Sequence, residues 1–243
     1  MPPSETGAAK EHRTVSRITT ILELAAAHGT GVRLSELAAA LDAPRSSVHG
    51  LVKGLVATGY LREDDGAYII GPAINSLLAA APPTVAGPAR TAMEQLHDRF
   101  DETVMLASLV GDSVVYTDTI ESTQPIRYSA PLSTRRPLHP TSSGKCFLAF
   151  SSAPFRENHL ADLPRREEIR RELAEIAENG VAINRGETLP DICGVGAPIF
   201  DSGRVVAVIA VAGPTTRVGP LLTEVADATR SAAREVSARL TGR

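Results

Sequence analysis

The chain has 243 residues, 43% of them hydrophobic, and a formal net charge of −3, so it can bury one large core or two smaller ones. A slightly acidic total excludes a basic nucleic-acid coat, and any DNA-contacting surface must be local. No run of about 18 apolar residues marks a membrane span, and the opening "MPPSETGAAKEHR" lacks the apolar stretch of a signal peptide. The two cysteines, Cys146 and Cys193, give neither a disulfide framework nor a C-x-x-C metal spacing. The expectation is a reduced, cytoplasmic protein that needs no metal or cofactor.

Residues 1–13 read as a flexible arm. From Val15 to His28 the residues Val15, Ile18, Ile21, Leu22 and Ala25 recur at helical spacing, and Gly29 can close that helix. In "RLSELAAAL", Ser35 can serve as N-cap while Leu37, Ala38 and Leu41 form one face. The break Asp42-Ala43-Pro44 leads into a third helix from Arg45 to Thr58, with the stripe Val48, Leu51, Val52 and Leu55 and a closing Gly59. Two β-prone runs flank Asp65-Gly66, a hairpin signal. Helices joined by a tight turn and followed by a hairpin give the winged helix-turn-helix order over residues 14–70.

On the third helix the face opposite the stripe carries Ser46, His49, Gly50 and Lys53. Hydroxyls and imidazole can hydrogen-bond base edges or phosphates, and Arg45 and Lys53 can meet phosphate oxygens. The candidate DNA-contacting residues are Arg45, Ser46, Ser47, His49 and Lys53, with Ser35 at the head of the preceding helix. Between Arg13 and Arg62 six basic residues face three acidic ones, giving +3 locally. The run Glu63-Asp64-Asp65 at the hairpin opposes this, since it repels phosphates.

Residues 71–88 dissolve into proline and glycine and read as a linker. Beyond it lie a helix in "ARTAMEQLHDRF", strands at "TVMLASLV" and "SVVYTDTI" around a Gly111-Asp112 turn, and a third strand near "IRYSAP". A helix follows in "TSSGKCFLAF" and an exposed charged helix in "RREEIRRELAEIAENG". The end holds strands at "GVGAPIF" and "RVVAVIAVAG" and a last amphipathic helix. Hairpins among irregularly alternating elements favour an α+β second domain over residues 89–243.

The stretch from Ser16 through "APRSSVHG" to Pro72 resembles the N-terminal domain of the IclR family of bacterial transcription regulators. "PLHPTSSGKCFLAF" and "GVGAPIFDSGRVVAVIAVAGP" resemble two signature regions of that family's effector domain. The resemblance implies a winged-helix DNA-binding domain, a linker helix and a GAF-like effector domain with an antiparallel sheet. It also implies a homodimer or dimer of dimers on palindromic double-stranded operators. Where relatives often carry a basic residue, this chain has Gly50, and Ala67 and Ile69 replace basic wing residues. The resemblance also maps an effector site onto Asn184, Gly194, Ala210 and Ala212, often Asp, Cys, Ser and Ser in the family. With those polar groups absent or neutral, a small keto-acid would lack partners, so the expected effector is an aromatic or relatively apolar organic acid. Val104, Leu106 and Ile126 are candidate apolar walls, and Ser142 and Ser143, at a helix start capped by Thr141, are candidate carboxylate contacts.

Three functions compete. The first is a ligand-responsive regulator, read first as a repressor with activation kept open. The second is a small-molecule sensor with weakened DNA binding that acts through protein partners. The third is an enzyme built on "TSSGKC". A P-loop fails because His139 stands where its first glycine belongs. A nucleophilic Ser143 or Cys146 would need a positioned base, so no catalytic residue is assigned.

Overall fold

The computed structural model describes residues 12–74, 77 and 85–242. Residues 1–11 of the expected arm and residues 75, 76 and 78–84 of the expected linker lie outside them, while residues 86–88, read as linker, already belong to a helix. The chain divides into two compact units, with the division between residues 82 and 83.

The first unit runs α1 (Arg13–Ala27), β1 (Val32–Arg33), α2 (Leu34–Ala40), α3 (Arg45–Ala57), β2 (Leu61–Asp64) and β3 (Ala67–Ile70). Ile21 and Ala25 of α1, Leu37 and Ala38 of α2, and Val48, Val52 and Leu55 of α3 converge on one core with Val32, Leu61 and Tyr68. The helical stripes therefore set the packing. The hairpin turn uses positive φ at both Asp65 (46°) and Gly66 (72°), the twist that matches antiparallel strands. Sequence periodicity does not reveal β1, which pairs with β3 and makes a three-stranded wing of order β1-β3-β2.

Two details of α2 and α3 sharpen the reading. Ser35 is not the N-cap: Arg33 holds that place, and its N–H donates to the Glu36 carboxylate at 2.7 Å. Glu36 three residues along satisfies an orphan donor that a Ser35 cap would have left to a neighbour. Pro44, extended at φ −56° and ψ 135°, caps α3 so that Arg45 opens the helix.

The second unit consists of α4 (Ala86–Phe100), β4 (Thr103–Val110), β5 (Ser113–Ile120), β6 (Arg135–Pro137), α5 (Ser142–Ala149), α6 (Ala153–Leu160), α7 (Arg166–Asn179), β7 (Ala182–Arg185), β8 (Ile192–Asp201) and β9 (Arg204–Pro214). The short helix α8 (Thr215–Val218), a 3-10 turn and α9 (Leu222–Thr241) close it. Six antiparallel strands lie in the order β6-β5-β4-β9-β8-β7. Side chains alternate between faces. Met105, Ala107, Val208, Ala210 and Ala212 meet α5 and α7 on one face, with Cys146, Leu148, Ile169 and Leu173. Val104, Leu106, Val195, Ala197, Ile209 and Val211 meet α4 and α9 on the other.

The strand expected at "IRYSAP" is loop; the edge strand is β6, a few residues on. Tyr128 and Ala130 are buried there, and Thr103 donates its hydroxyl to the Tyr128 carbonyl at 2.5 Å, so a side chain replaces the ladder bond. The charged helix α7 is not solvated throughout, since Ile169, Leu173 and Ile176 are buried on one stripe.

Candidate DNA-contacting helix and effector cavity

On α3 the buried residues Val48, Val52 and Leu55 turn the remaining face outward. Arg45, Ser46, Ser47, His49, Gly50 and Lys53 are all exposed, and Ser35 is exposed on α2. A β-carbon added at Gly50 or Gly54 would meet nothing within 4 Å among the described residues, so these glycines leave bare backbone on the outward face. Lys53 is engaged by the wing: its Nζ donates to Glu63 Oε2 of β2 at 2.8 Å. One carboxylate of the acidic run is thus directed at α3. Arg33, beside the hairpin through β1, reaches within 3.9 Å of the place a Gly66 β-carbon would take. In the sequence Arg33 contributes only charge, because the pairing that carries it to the wing spans more than thirty residues.

The second unit's candidate site forms where α5 begins above β7, β8 and β9. Thr141 caps α5 by accepting from the Gly144 N–H at 3.0 Å and donating to the Leu138 carbonyl at 3.0 Å. The Gly144 amide at the helix start is therefore used internally. A β-carbon on Gly144 would fall 1.9 Å from the Leu138 carbonyl oxygen, and one on Gly196 3.2 Å from the Ser143 nitrogen. Only glycine lets the helix start lie this close to its loop and to the sheet.

Gly194 pairs with Asn184 on β7 and Ala212 on β9, and its β-carbon position lies 3.2 Å from Ser142 Oγ, 3.8 Å from Asn184 Cβ and 3.9 Å from Ala212 Cβ. These four residues surround one cavity, walled further by Met105, Tyr116, Tyr128, Thr141, Thr188, Leu189 and Ile192. Its free volume is about 30 Å³, room for a water-sized group or two. Burial first, and then the neighbouring Tyr128, pushes the Tyr116 phenol up to about 12, so it is a neutral hydrogen-bonding group near neutral pH. The Arg136 guanidinium stacks on the same ring at 5.1 Å.

The other expected effector residues lie elsewhere. Val104 and Leu106 face the opposite side of the sheet, packed towards α4 and α9; Met105 between them reaches the cavity because the face alternates with each residue. Ile126 is 75% exposed, and its backbone carbonyl accepts from Arg217 at 2.9 Å. Ala210 is buried one pair along the sheet, opposite Gly196 and Met105. Ser143 is fully buried beside the cavity rather than on its wall, and its hydroxyl has no hydrogen-bond partner among the described residues. Tyr116, Tyr128, Thr188, Leu189 and Ile192 were not singled out; no spacing rule links β5, two loops and the start of β8.

Asn184 is engaged on every side. Its Nδ2 donates to the Pro140 carbonyl and to Thr188 Oγ1, both at 2.7 Å, and its Oδ1 accepts from the Glu187 N–H at 3.0 Å. Next to this set, His139, Glu172 and Glu187 offer ligand atoms within 4.8 Å of one another. The Lys145 ammonium sits among them, 2.7 Å from Glu172 and 2.6 Å from Glu187, so a cation already occupies the position a metal would need. Cys146 donates its thiol to the Gly196 carbonyl at 3.2 Å, and burial pushes it up to about 12, which leaves no thiolate for nucleophilic chemistry.

The chain matches the family models described as the IclR helix-turn-helix domain, over residues 14–65, and the bacterial transcriptional regulator IclR C-terminal domain, over residues 83–238. This chain belongs to the IclR family of bacterial transcriptional regulators. It is 31% identical over 220 residues to the probable transcriptional regulator SauR of Cupriavidus necator, with 83% of this chain and 86% of that protein covered. It is 30% identical over 241 residues to the HTH-type transcriptional regulator BhcR of Paracoccus denitrificans, covering 93% and 86%. The crystal structure of an IclR homolog from Microbacterium hydrocarbonoxydans, complexed with 4-hydroxybenzoate, superposes with a TM-score of 0.77 at 25% identity, covering 93% of this chain and 98% of that one. As an IclR-type regulator, the chain combines a DNA-binding helix-turn-helix with an effector domain for small organic ligands, and the family is not enzymatic. Among the described residues no helix is long and apolar enough to cross a membrane.

Proposed function

We propose that this IclR-type regulator senses a small aromatic or otherwise apolar carboxylic acid and acts in the cytoplasm. Residues 14–70 serve as its DNA-binding domain and residues 89–243 as its effector-binding and oligomerisation domain. In this reading α3 enters the major groove, Arg45 and Lys53 contact phosphates with Ser35 of α2 alongside, and Ser46, Ser47 and His49 reach base edges. A dimer places two such helices about 34 Å apart on a palindromic site. Ligand binding acts by favouring one of two dimer geometries.

The observation that carries the effector reading is the lining of the cavity. Met105, Leu189 and Ile192 supply apolar surface, Tyr116 and Tyr128 supply aromatic surface, and Ser142 heads a helix N-terminus. Gly194 and Ala212 add no polar side chain. A highly polar keto-acid would lose its hydration there without full replacement, whereas an aromatic acid keeps its carboxylate at the helix start and buries its ring. The 4-hydroxybenzoate found in the Microbacterium relative supports the same class. Because the free volume is about 30 Å³, entry of such a ligand moves Thr188 and Leu189 outward.

Calorimetric titration of the full chain with glyoxylate, pyruvate, benzoate and 4-hydroxybenzoate tests this. An aromatic acid binds, and tight glyoxylate binding with no aromatic hit would overturn the reading. Mobility shifts on the DNA upstream of its own gene, with Arg45→Ala and Lys53→Ala, test the DNA arm. Each substitution lowers the slope of log affinity against log salt by about 0.9 if its side chain meets one phosphate. The pairing of Lys53 with Glu63 favours a second reading, a sensor with weakened DNA binding; an unchanged slope in both variants selects it.

A further inference from the structure

We propose that Lys145 is the positioning residue of the effector cavity, holding residues 186–191 as its outer wall through a releasable ion pair with Glu187. The proposal rests on the effector reading of that cavity. Lys145 lies on α5 and is completely buried. Its ammonium has three N–H donors, and three groups accept them: Glu172 of α7 at 2.7 Å, the Ile183 carbonyl of β7 at 3.1 Å, and Glu187 at 2.6 and 2.8 Å to its two oxygens.

The stoichiometry is the informative part. One buried cation faces two carboxylates, each about one-third exposed. If Glu187 leaves, Lys145 keeps Glu172 and the Ile183 carbonyl, so no buried charge is stranded, the condition that makes breaking a buried pair costly. Glu187 gains water as it leaves. Loss of Glu172 has no such consequence for the wall, because Glu187 stays on Lys145. The pair with Glu187 therefore works as a latch, and the pair with Glu172 as its anchor.

The latch acts on the cavity by direct chain continuity. Thr188 and Leu189, which line the cavity, follow Glu187 immediately. Leu189 remains 46% exposed, a large apolar side chain only half seated on the cavity it covers. A ligand larger than water displaces these two residues and draws Glu187 off Lys145, so the strength of the latch sets access to the cavity.

The experiment needs no ligand, so its failure is distinct from failure of the effector assignment. Lys145→Met risks unfolding; the full-length isosteric variants Glu187→Gln and Glu172→Gln isolate the two ends. Amide hydrogen exchange over residues 186–191 is expected to speed up by about fivefold or more in Glu187→Gln, since a charge-assisted bond is lost, and to stay near wild type in Glu172→Gln. The chain has no tryptophan and four tyrosines, two of which line the cavity, so acrylamide quenching of tyrosine emission reports access. Quenching rises in Glu187→Gln only. Unchanged exchange and quenching in Glu187→Gln, or an equal rise in both variants, overturns the proposal. Faster exchange with unchanged quenching overturns it too, because the pair would then staple the loop without gating the cavity.

Discussion

The outward face of α3 and the cavity under α5 solve opposite problems. The polar groups on the α3 face come from one 13-residue helix and, Lys53 apart, are exposed to water, where an unused donor costs almost nothing. The cavity draws its wall from five strands, a helix start and two loops, and its buried polar groups must find partners whether or not a ligand is present. Asn184 shows the consequence, with three hydrogen bonds to its own chain. A surface made for an external partner can be loosely supported. A buried one is part of the fold.

The largest test of that contrast is Gly144→Ala. The new β-carbon would lie 1.9 Å from the Leu138 carbonyl oxygen, a backbone atom that cannot step aside, so the second unit loses about 3 kcal/mol or more, the upper range of overpacking. Calorimetry should show its transition fall or vanish while the transition of the first unit, built around Ile21, Leu37 and Val52, is retained. Equal loss in both units would break the comparison.

A smaller effect separates satisfied from presented charge. The Asp101 carboxylate accepts from the Thr123 N–H, the Thr123 hydroxyl and the Gln124 side chain, and these bonds, Thr123's first, lower it from 3.8 to about 2. A carboxylate whose folded pKa is depressed contributes stability above its unfolded value, and that contribution is lost as pH falls through the folded value. Wild-type stability therefore drops between about pH 4 and pH 2 partly through Asp101. In Asp101→Asn, which tolerates the same left-handed backbone, that part of the drop is missing. The melting temperatures of the two proteins should converge as pH falls across this window; a constant gap would mean the bonds do not depend on charge.

The same contrast explains what was legible in the sequence. The helix-turn-helix order and the α3 face follow from spacings within about ten residues, where the 3.6-residue period and the Asp65-Gly66 turn act directly. The capped helix start placed Ser142 on the cavity; the positions on the strands could be placed only where the family resemblance supplied them. Of these, Asn184, Gly194 and Ala212 surround it and Ala210 lies beneath α5. Val104 and Leu106 are apolar residues on a strand, but a buried apolar run carries no alternation to show which face holds the ligand side, and Met105 fits the same pattern. Lys145 looked like part of a failed P-loop; its partners Glu172 and Glu187 lie 27 and 42 residues away, beyond any local pattern.

The smallest effect is the most informative about DNA. Lys53 lies on the presented face yet is partnered, at 2.8 Å, by Glu63 of the wing. Both side chains are exposed, and solvent screening leaves a pair of this kind weak. Before Lys53 can meet a phosphate it must leave Glu63, and Glu63 then adds its own repulsion. Glu63→Gln removes both effects without shortening the side chain. Operator affinity should rise only a few-fold at low salt, on the order of 2- to 5-fold, with the gain fading as salt screens the carboxylate, and thermal stability should stay nearly unchanged. If affinity is unaltered while Lys53→Ala still weakens binding, Lys53 reaches DNA without competition and the wing carboxylate plays no part in setting affinity. A rise in Glu63→Gln that disappears in the Lys53→Ala background ties the gain to this one pair, and shows that even on the presented face the chain restrains one of its own contacts.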